Sequence, residues 1–196
     1  MKQNSHKSEA KKEQKKRPVT RDYLFNAGAY YLQRYASSEA NFRQVMTRKI
    51  YRHDQGDVTD EDVASWLDEI CEKFRNVGAL DDNIYAEGRV LSMRRAGKSG
   101  SFIRNTLRAK GVDVDLVDSA LEKHEAINIG DDDWTAAVTF ARRRAFGPYT
   151  RYRGEEHEMS LQLRNRQMSS FARAGFSFGY ARKIVDANTV EELAQD

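Results

Sequence analysis

Leu107-Arg-Ala-Lys-Gly-Val-Asp-Val-Asp-Leu-Val-Asp-Ser-Ala-Leu121 aligns without a gap on Phe171-Ala-Arg-Ala-Gly-Phe-Ser-Phe-Gly-Tyr-Ala-Arg-Lys-Ile-Val185, at a constant offset of 64 residues. Each stretch stops a short helical stripe on a glycine, places a capping Asp113 or Ser177 two residues later, and starts a second stripe. A weaker third copy runs from Phe42 to Lys49 and resumes, after an acidic loop, in the helix starting at Val63. A recurring unit of this kind buries its apolar face against its neighbours and leaves an extended outer surface for binding.

Working outward, the first helix is expected from Tyr23, with Leu24, Ala27, Tyr31 and Tyr35 as its stripe and Asp22 as its cap. Ser37 and Ser38 interrupt it. Phe42, Val45, Met46 and Ile50 form the next stripe, with Arg43, Arg48, Lys49 and Arg52 on the other face. Thr59 and Asp62 stand at capping-box spacing before the strongest period in the chain, Val63, Trp66, Leu67, Ile70, Phe74 and Val77. Gly78 ends this helix, and Asp81-Asp82 cap another, lined by Ile84, Tyr85, Gly88, Leu91 and Met93.

Gly97-Lys-Ser-Gly100 breaks the pattern, which restarts with Ile103, Thr106 and Leu107. Val114, Val117, Ala120, Leu121 and His124 share the face of the following helix. Asp131 to Asp133 cap a helix bearing Trp134, Ala137, Val138 and Ala141, which Gly147-Pro148 ends. The last two helices carry Met168 and Phe171, then Ala181, Ile184 and Val185. The expected fold is all-α, nine helices in three tandem three-helix repeats that stack into an elongated, curved body, a right-handed helix. Its divisions are a basic disordered tail at 1–20, repeats at 21–79, 80–126 and 130–188 (the last with an insertion near 147–158), and a C-terminal tail at 189–196.

Composition excludes several classes. The chain has 196 residues, 39% hydrophobic and 32% charged, with two prolines and no long apolar run. Neither a membrane span nor a secretory signal is expected, and a cytoplasmic location is. Cys71, the single cysteine, falls on a helical stripe and reads as a buried structural thiol. Residues 1 to 21 carry +6 and the rest −3. With Ala10 as the one apolar residue between Met1 and Pro18, that tail buries too little to repay ordering. It fits either a solubilising extension or a non-specific tether to phosphates.

Charge follows the repeat. Residues 34 to 52 sum to +4 and 53 to 82 to −8; residues 84 to 111 sum to +6 and 112 to 135 to −7. Two readings fit: separate positive and negative strips along the stacked body, or solvated helix faces with intrahelical pairs.

Enzymatic motifs are missing. Gly97-Lys98-Ser99 resembles the end of a phosphate-binding loop, but position 92 is serine and the preceding segment is helical. His6, His53, His124 and His157 are scattered, without a cysteine or carboxylate at ligand spacing. Carboxylates sit at helix caps, and no nucleophile has a base partner. No enzyme activity, cofactor or metal is expected. The basic clusters are the candidate binding residues: Arg94, Arg95 and Lys98; Arg104, Arg108 and Lys110; and Arg142, Arg143, Arg144, Arg151 and Arg153. They suit phosphates or an acidic protein groove. Tyr149 and Tyr152 lie among the last group, as base-stacking rings or as loop anchors.

From about Tyr23 to Ala187 the chain resembles the RecX family of recombination regulators, modulators of the RecA recombinase. The residues that carry the resemblance are Ser38-Glu39…Phe42-Arg43…Met46…Lys49, the junction Val77-Gly78-Ala79-Leu80-Asp81-Asp82…Tyr85-Ala86, Ile103-Arg104…Leu107…Lys110-Gly111-Val112, and Phe171-Ala-Arg-Ala-Gly-Phe176. The resemblance implies three tandem three-helix repeats. It also implies binding in the groove of the RecA filament on DNA, with inhibition or tuning of ATP hydrolysis, strand exchange and co-protease activity in recombination and the SOS response. A monomer is expected, with single- or double-stranded DNA as a secondary partner. The chain departs from the family pattern in the acidic loop His53 to Asp62 and in the insertion Phe146 to Glu158. The alternative is a sequence-independent DNA-binding protein built from tandem three-helix modules.

Overall fold

A computed structural model describes residues 19–53, 57–128, 132–150 and 161–194. The tail expected at 1–20 therefore lies almost wholly outside the described residues, as do Arg151, Arg153 and most of the insertion. The described residues form nine α-helices and no strand: α1 (Arg21–Leu32), α2 (Glu39–Ile50), α3 (Asp60–Asn76), α4 (Asp82–Arg95), α5 (Gly100–Arg108), α6 (Val114–Ile127), α7 (Asp133–Arg144), α8 (Leu161–Arg173) and α9 (Phe178–Asp186). Among these residues no helix is long and apolar enough to cross a membrane.

Each successive triplet encloses its own core. Leu24, Phe42, Met46, Ile50, Ile70 and Phe74 fill the first, where the Phe42 and Phe74 rings meet edge to face at 5.7 Å. Ala86, Val90, Ile103, Leu107, Val117 and Leu121 fill the second. Ala137, Ala141, Phe171, Phe176, Ala181 and Ile184 fill the third. Burying one such large side chain stabilises by about 1.5–3 kcal/mol. The repeat extends to individual positions: Met46, Leu107 and Phe171 are equivalent and fully buried, and one turn earlier stand Phe42, Ile103 and Gln167. Gln167 is a polar residue in an apolar place, and its side-chain carbonyl accepts the Gly147 amide at 3.0 Å. That bond meets the requirement that a buried polar group find a partner.

Local chemistry sets the helix ends. Thr59 and Asp62 form a reciprocal capping box, whose bonds from the Thr59 amide and hydroxyl hold the Asp62 carboxyl below the usual carboxylate range. Asp81, Asp113, Asp132 and Ser177 cap their helices as the sequence predicts. Three details differ. Thr20 caps α1 in place of Asp22, because its extended backbone brings Oγ1 3.1 Å from the Tyr23 amide while Asp22 already lies in the first turn. Tyr35 falls past the end of α1 and is exposed. α7 ends on Ala145 in the left-handed region, so Gly147-Pro148 opens a 3₁₀ turn (Gly147–Tyr149).

Two stripes are also displaced. The amides of Ala79 and Leu80 both bond back to the Phe74 carbonyl around left-handed Gly78. This reversal swings Leu80 into the core and leaves Val77 75% exposed. In α4 the inner face is Tyr85, Ala86, Val90, Met93 and Arg94, whereas Ile84 is 66% exposed and Gly88 also faces solvent. Packing against α6 selected one of two apolar faces that the sequence offers. Val114 likewise stays outside. At the C-terminus, where a tail is expected from 189, Glu191–Leu193 forms a 3₁₀ turn and Leu193 is buried in the third core.

Candidate functional site

Successive repeats meet through one joint, built twice. At the first, the Ser38 hydroxyl caps α2 by accepting the Asn41 amide and also donates to the Lys110 carbonyl at 2.5 Å. At the second, the Ser99 hydroxyl accepts the Phe102 amide and donates to the Ala174 carbonyl at 2.6 Å. The first amide of each middle helix donates to the aspartate that opens the next repeat: Glu39 to Asp82 at 2.8 Å, Gly100 to Asp133 at 2.7 Å. The end of one middle helix thus abuts the start of the preceding one, and four polar groups that would face a desolvated gap are paired. Burial raises the Asp82 carboxyl pKa, against the lowering effect of the Glu39 amide.

Gly111 and Gly175 make the close approach possible. Both are left-handed, at φ +73° and +79°. A Cβ at Gly111 would overlap the Ala40 methyl, and one at Gly175 would lie 2.8 Å from the Ser99 hydroxyl.

The second joint adds a buried cation, which corrects one expectation. Arg94, expected as a binding residue, is 3% exposed. Its guanidinium pairs with Asp133 and with Glu125 at 2.6 Å, and bonds the Lys98 carbonyl at 3.3 Å. It locks α4 and α6 of the second repeat to α7 of the third and is inaccessible to a partner. Other candidates are also engaged internally. Arg104 pairs with Asp118 at 2.6 Å, the counterpart of Arg43 with Asp68 in the first repeat. The Lys110 ammonium reaches Asn41 at 3.1 Å. Arg143 bonds the Ala96 and Arg95 carbonyls, covering the C-terminus of α4. Part of the charge rhythm thus resolves into pairs between helices of one repeat, such as Arg43 with Asp68, Arg104 with Asp118 and Lys123 with Glu87, a form neither reading anticipated. Such exposed pairs are worth about 0.2–1 kcal/mol each.

Five candidates present charge outward. Arg95 and Arg108 are exposed and make no ion pair among the described residues. Lys98 lies over the Phe102 ring at 4.7 Å, Arg142 over Tyr149 at 5.5 Å and Arg144 over Phe140 at 5.4 Å. Through Arg143 the structure brings the basic ends of α4 and α7 to one edge.

Among the described residues no group of three or more His, Cys, Asp or Glu stands close enough to hold a metal ion. Burial pushes the Cys71 thiol pKa up to about 11, so it is protonated at neutral pH and a poor nucleophile. The joint residues Ser38, Asp82, Ser99 and Asp133 were not anticipated. The available signal was the 61-residue spacing from Ser38 to Ser99, which continues through Phe42 and Ile103, Met46 and Leu107, and Lys49 and Lys110.

A family model described as RecX, second three-helix domain, matches residues 81–121, most of the second repeat. The regulatory protein RecX of Myxococcus xanthus is 34% identical over 176 residues, covering 88% of this chain and 89% of its own. That of Agrobacterium fabrum is 36% identical over 168 residues, covering 85% and 83%. The crystal structure of RecX from Lactobacillus salivarius shares the fold, with a TM-score of 0.60 at 20% identity over 90% of this chain and 97% of the other. With three repeats in series, joined by the same serine–carbonyl and amide–aspartate contacts, and with relatives of this identity along nearly its whole length, the chain belongs to the RecX family of regulatory proteins.

Proposed function

We propose that this protein binds RecA filaments on DNA and inhibits RecA ATP hydrolysis, strand exchange and co-protease activity, as a monomeric cytoplasmic regulator of recombination and the SOS response. Membership of the family across 88% of the chain is the observation that carries this reading. The geometry supplies a physical route. Three repeats joined head to tail form one extended body, and contact with more than one filament subunit stabilises a single subunit arrangement and opposes the changes that turnover requires.

The test is RecA ATPase on single-stranded DNA. A fall of about fivefold or more at saturating protein is expected, and an unchanged rate overturns the reading. Charge reversal at Arg95, Arg108, Arg142 and Arg144 should weaken inhibition. Arg94 is excluded from that set because its reversal acts on the fold.

Exposed Arg95 and Arg108 also favour a second reading, sequence-independent DNA binding in which DNA phosphates add to the filament contact. Affinity for bare DNA should then fall steeply with salt and drop on deletion of residues 1–17. Insensitivity to both removes it.

A further inference from the structure

Helix α4 carries a glycine that nothing within the molecule requires. Gly88 is exposed in mid-helix, and a Cβ built on it meets nothing within 4 Å. Helical geometry suits every residue but proline, and glycine there is less favourable than alanine. Above it lies a groove of about 380 Å³ at the junction of the first two repeats, lined by Ala36 and Ser37 of the α1–α2 loop, Ala79 and Asp81 of the α3–α4 turn, and Ile84 and Arg89 of α4. Ile84, which helical period assigns to the core, stands 66% exposed in this lining. A large apolar side chain left in water beside an apolar hollow marks a contact surface.

Charge indicates what covers it. The Asp81 carboxylate accepts the Asn83 and Ile84 amides at the start of α4, and Asp82 accepts the Glu39 amide at the start of α2, so each acid is engaged at a helix N-terminus. Arg89 is exposed and makes no ion pair among the described residues. Arg89 is thus the one cation in the groove lining, beside a mainly apolar floor, and it has no carboxylate partner among those residues. A nucleic-acid strand, with a phosphate at every step, fits one cation beside an apolar floor poorly. An apolar side chain flanked by a carboxylate fits it well.

We propose that the groove is a protein-docking site, in which an aliphatic side chain of the partner lies over Gly88 and an adjacent carboxylate meets Arg89. The proposal rests on the filament-binding reading above and makes the partner a RecA subunit of the filament.

The experiment measures binding of the full chain to preformed RecA filaments on single-stranded DNA. Gly88→Leu fills the groove from an open helix face, so its thermal midpoint should equal or exceed that of the wild type while Kd rises about tenfold or more. Arg89→Glu should also weaken binding, with a loss that shrinks as salt is raised. If the wild type binds and both variants match it, the groove is overturned and the filament reading stands. Failure of the wild type to bind overturns both. Equal loss of affinity for bare DNA in Gly88→Leu reassigns the groove to nucleic acid, and a wild-type dimer that Gly88→Leu dissolves reassigns it to a second copy. Either outcome overturns the proposal.

Discussion

Replacement of Arg94 by alanine is expected to lower the unfolding free energy by about 3 kcal/mol, read by urea denaturation at neutral pH. The guanidinium is nearly inaccessible and is held by Asp133, Glu125 and the Lys98 carbonyl. Truncation leaves two carboxylates facing a cavity without a cation, and one of them, Asp133, also anchors the first amide of α5. Breaking a buried pair from one side costs about 3–5 kcal/mol. Both carboxylates are 37–44% exposed and are partly rehydrated, which places the cost at the lower end. Arg94→Lys should recover only part of it, since an ammonium does not span two carboxylates as a planar fork does. A change below about 1 kcal/mol for Arg94→Ala would show that the joint does not depend on the buried cation. The functional corollary is a rigidity effect: Arg94→Ala should weaken filament binding without touching the partner.

Gly111→Ala is expected to cost about 3 kcal/mol. The left-handed backbone penalises any L side chain by about 1–2 kcal/mol, and overlap with Ala40 adds about 1–3 kcal/mol for an overfilled contact. The two parts are separable. Ala40→Gly in the Gly111→Ala background removes the overlap and leaves the backbone strain, so the double-mutant cycle should return a favourable coupling of at least about 1 kcal/mol. Additivity would mean that the joint relaxes by sliding. Gly175→Ala tests the second joint in the same way, because the new methyl would displace Ser99 from the Ala174 carbonyl.

Much of this molecule is legible in the chain. The core positions of α2, α3, α5, α9 and, past Val114, α6 follow from helical period, because each of these helices has one apolar stripe and only one way to bury it, whereas α8 buries the polar Gln167 and leaves Leu161 exposed. Caps follow from side chains that bond amides two or three residues away. α4 was misphased because Ile84, Tyr85, Ala86 and Val90 offer two apolar faces, and the choice between them belongs to α6. Arg94 was placed on the surface because a lone sequence position does not reveal that Asp133 and Glu125, 39 and 31 residues later, converge on it.

The opening phrase and its offset of 64 residues, with the stripes and caps around it, determined the repeat and the nine helices, since these rest on contacts within a few turns of the chain, and the Val77-to-Asp82 junction carried the family resemblance. Tertiary structure alone decided what joins the repeats and which charges face outward. Those outcomes depend on partners 31 to 75 residues apart, from Arg94 with Glu125 to Ser99 with Ala174, whose meeting is settled only when the cores have formed and fixed the direction of each helix end.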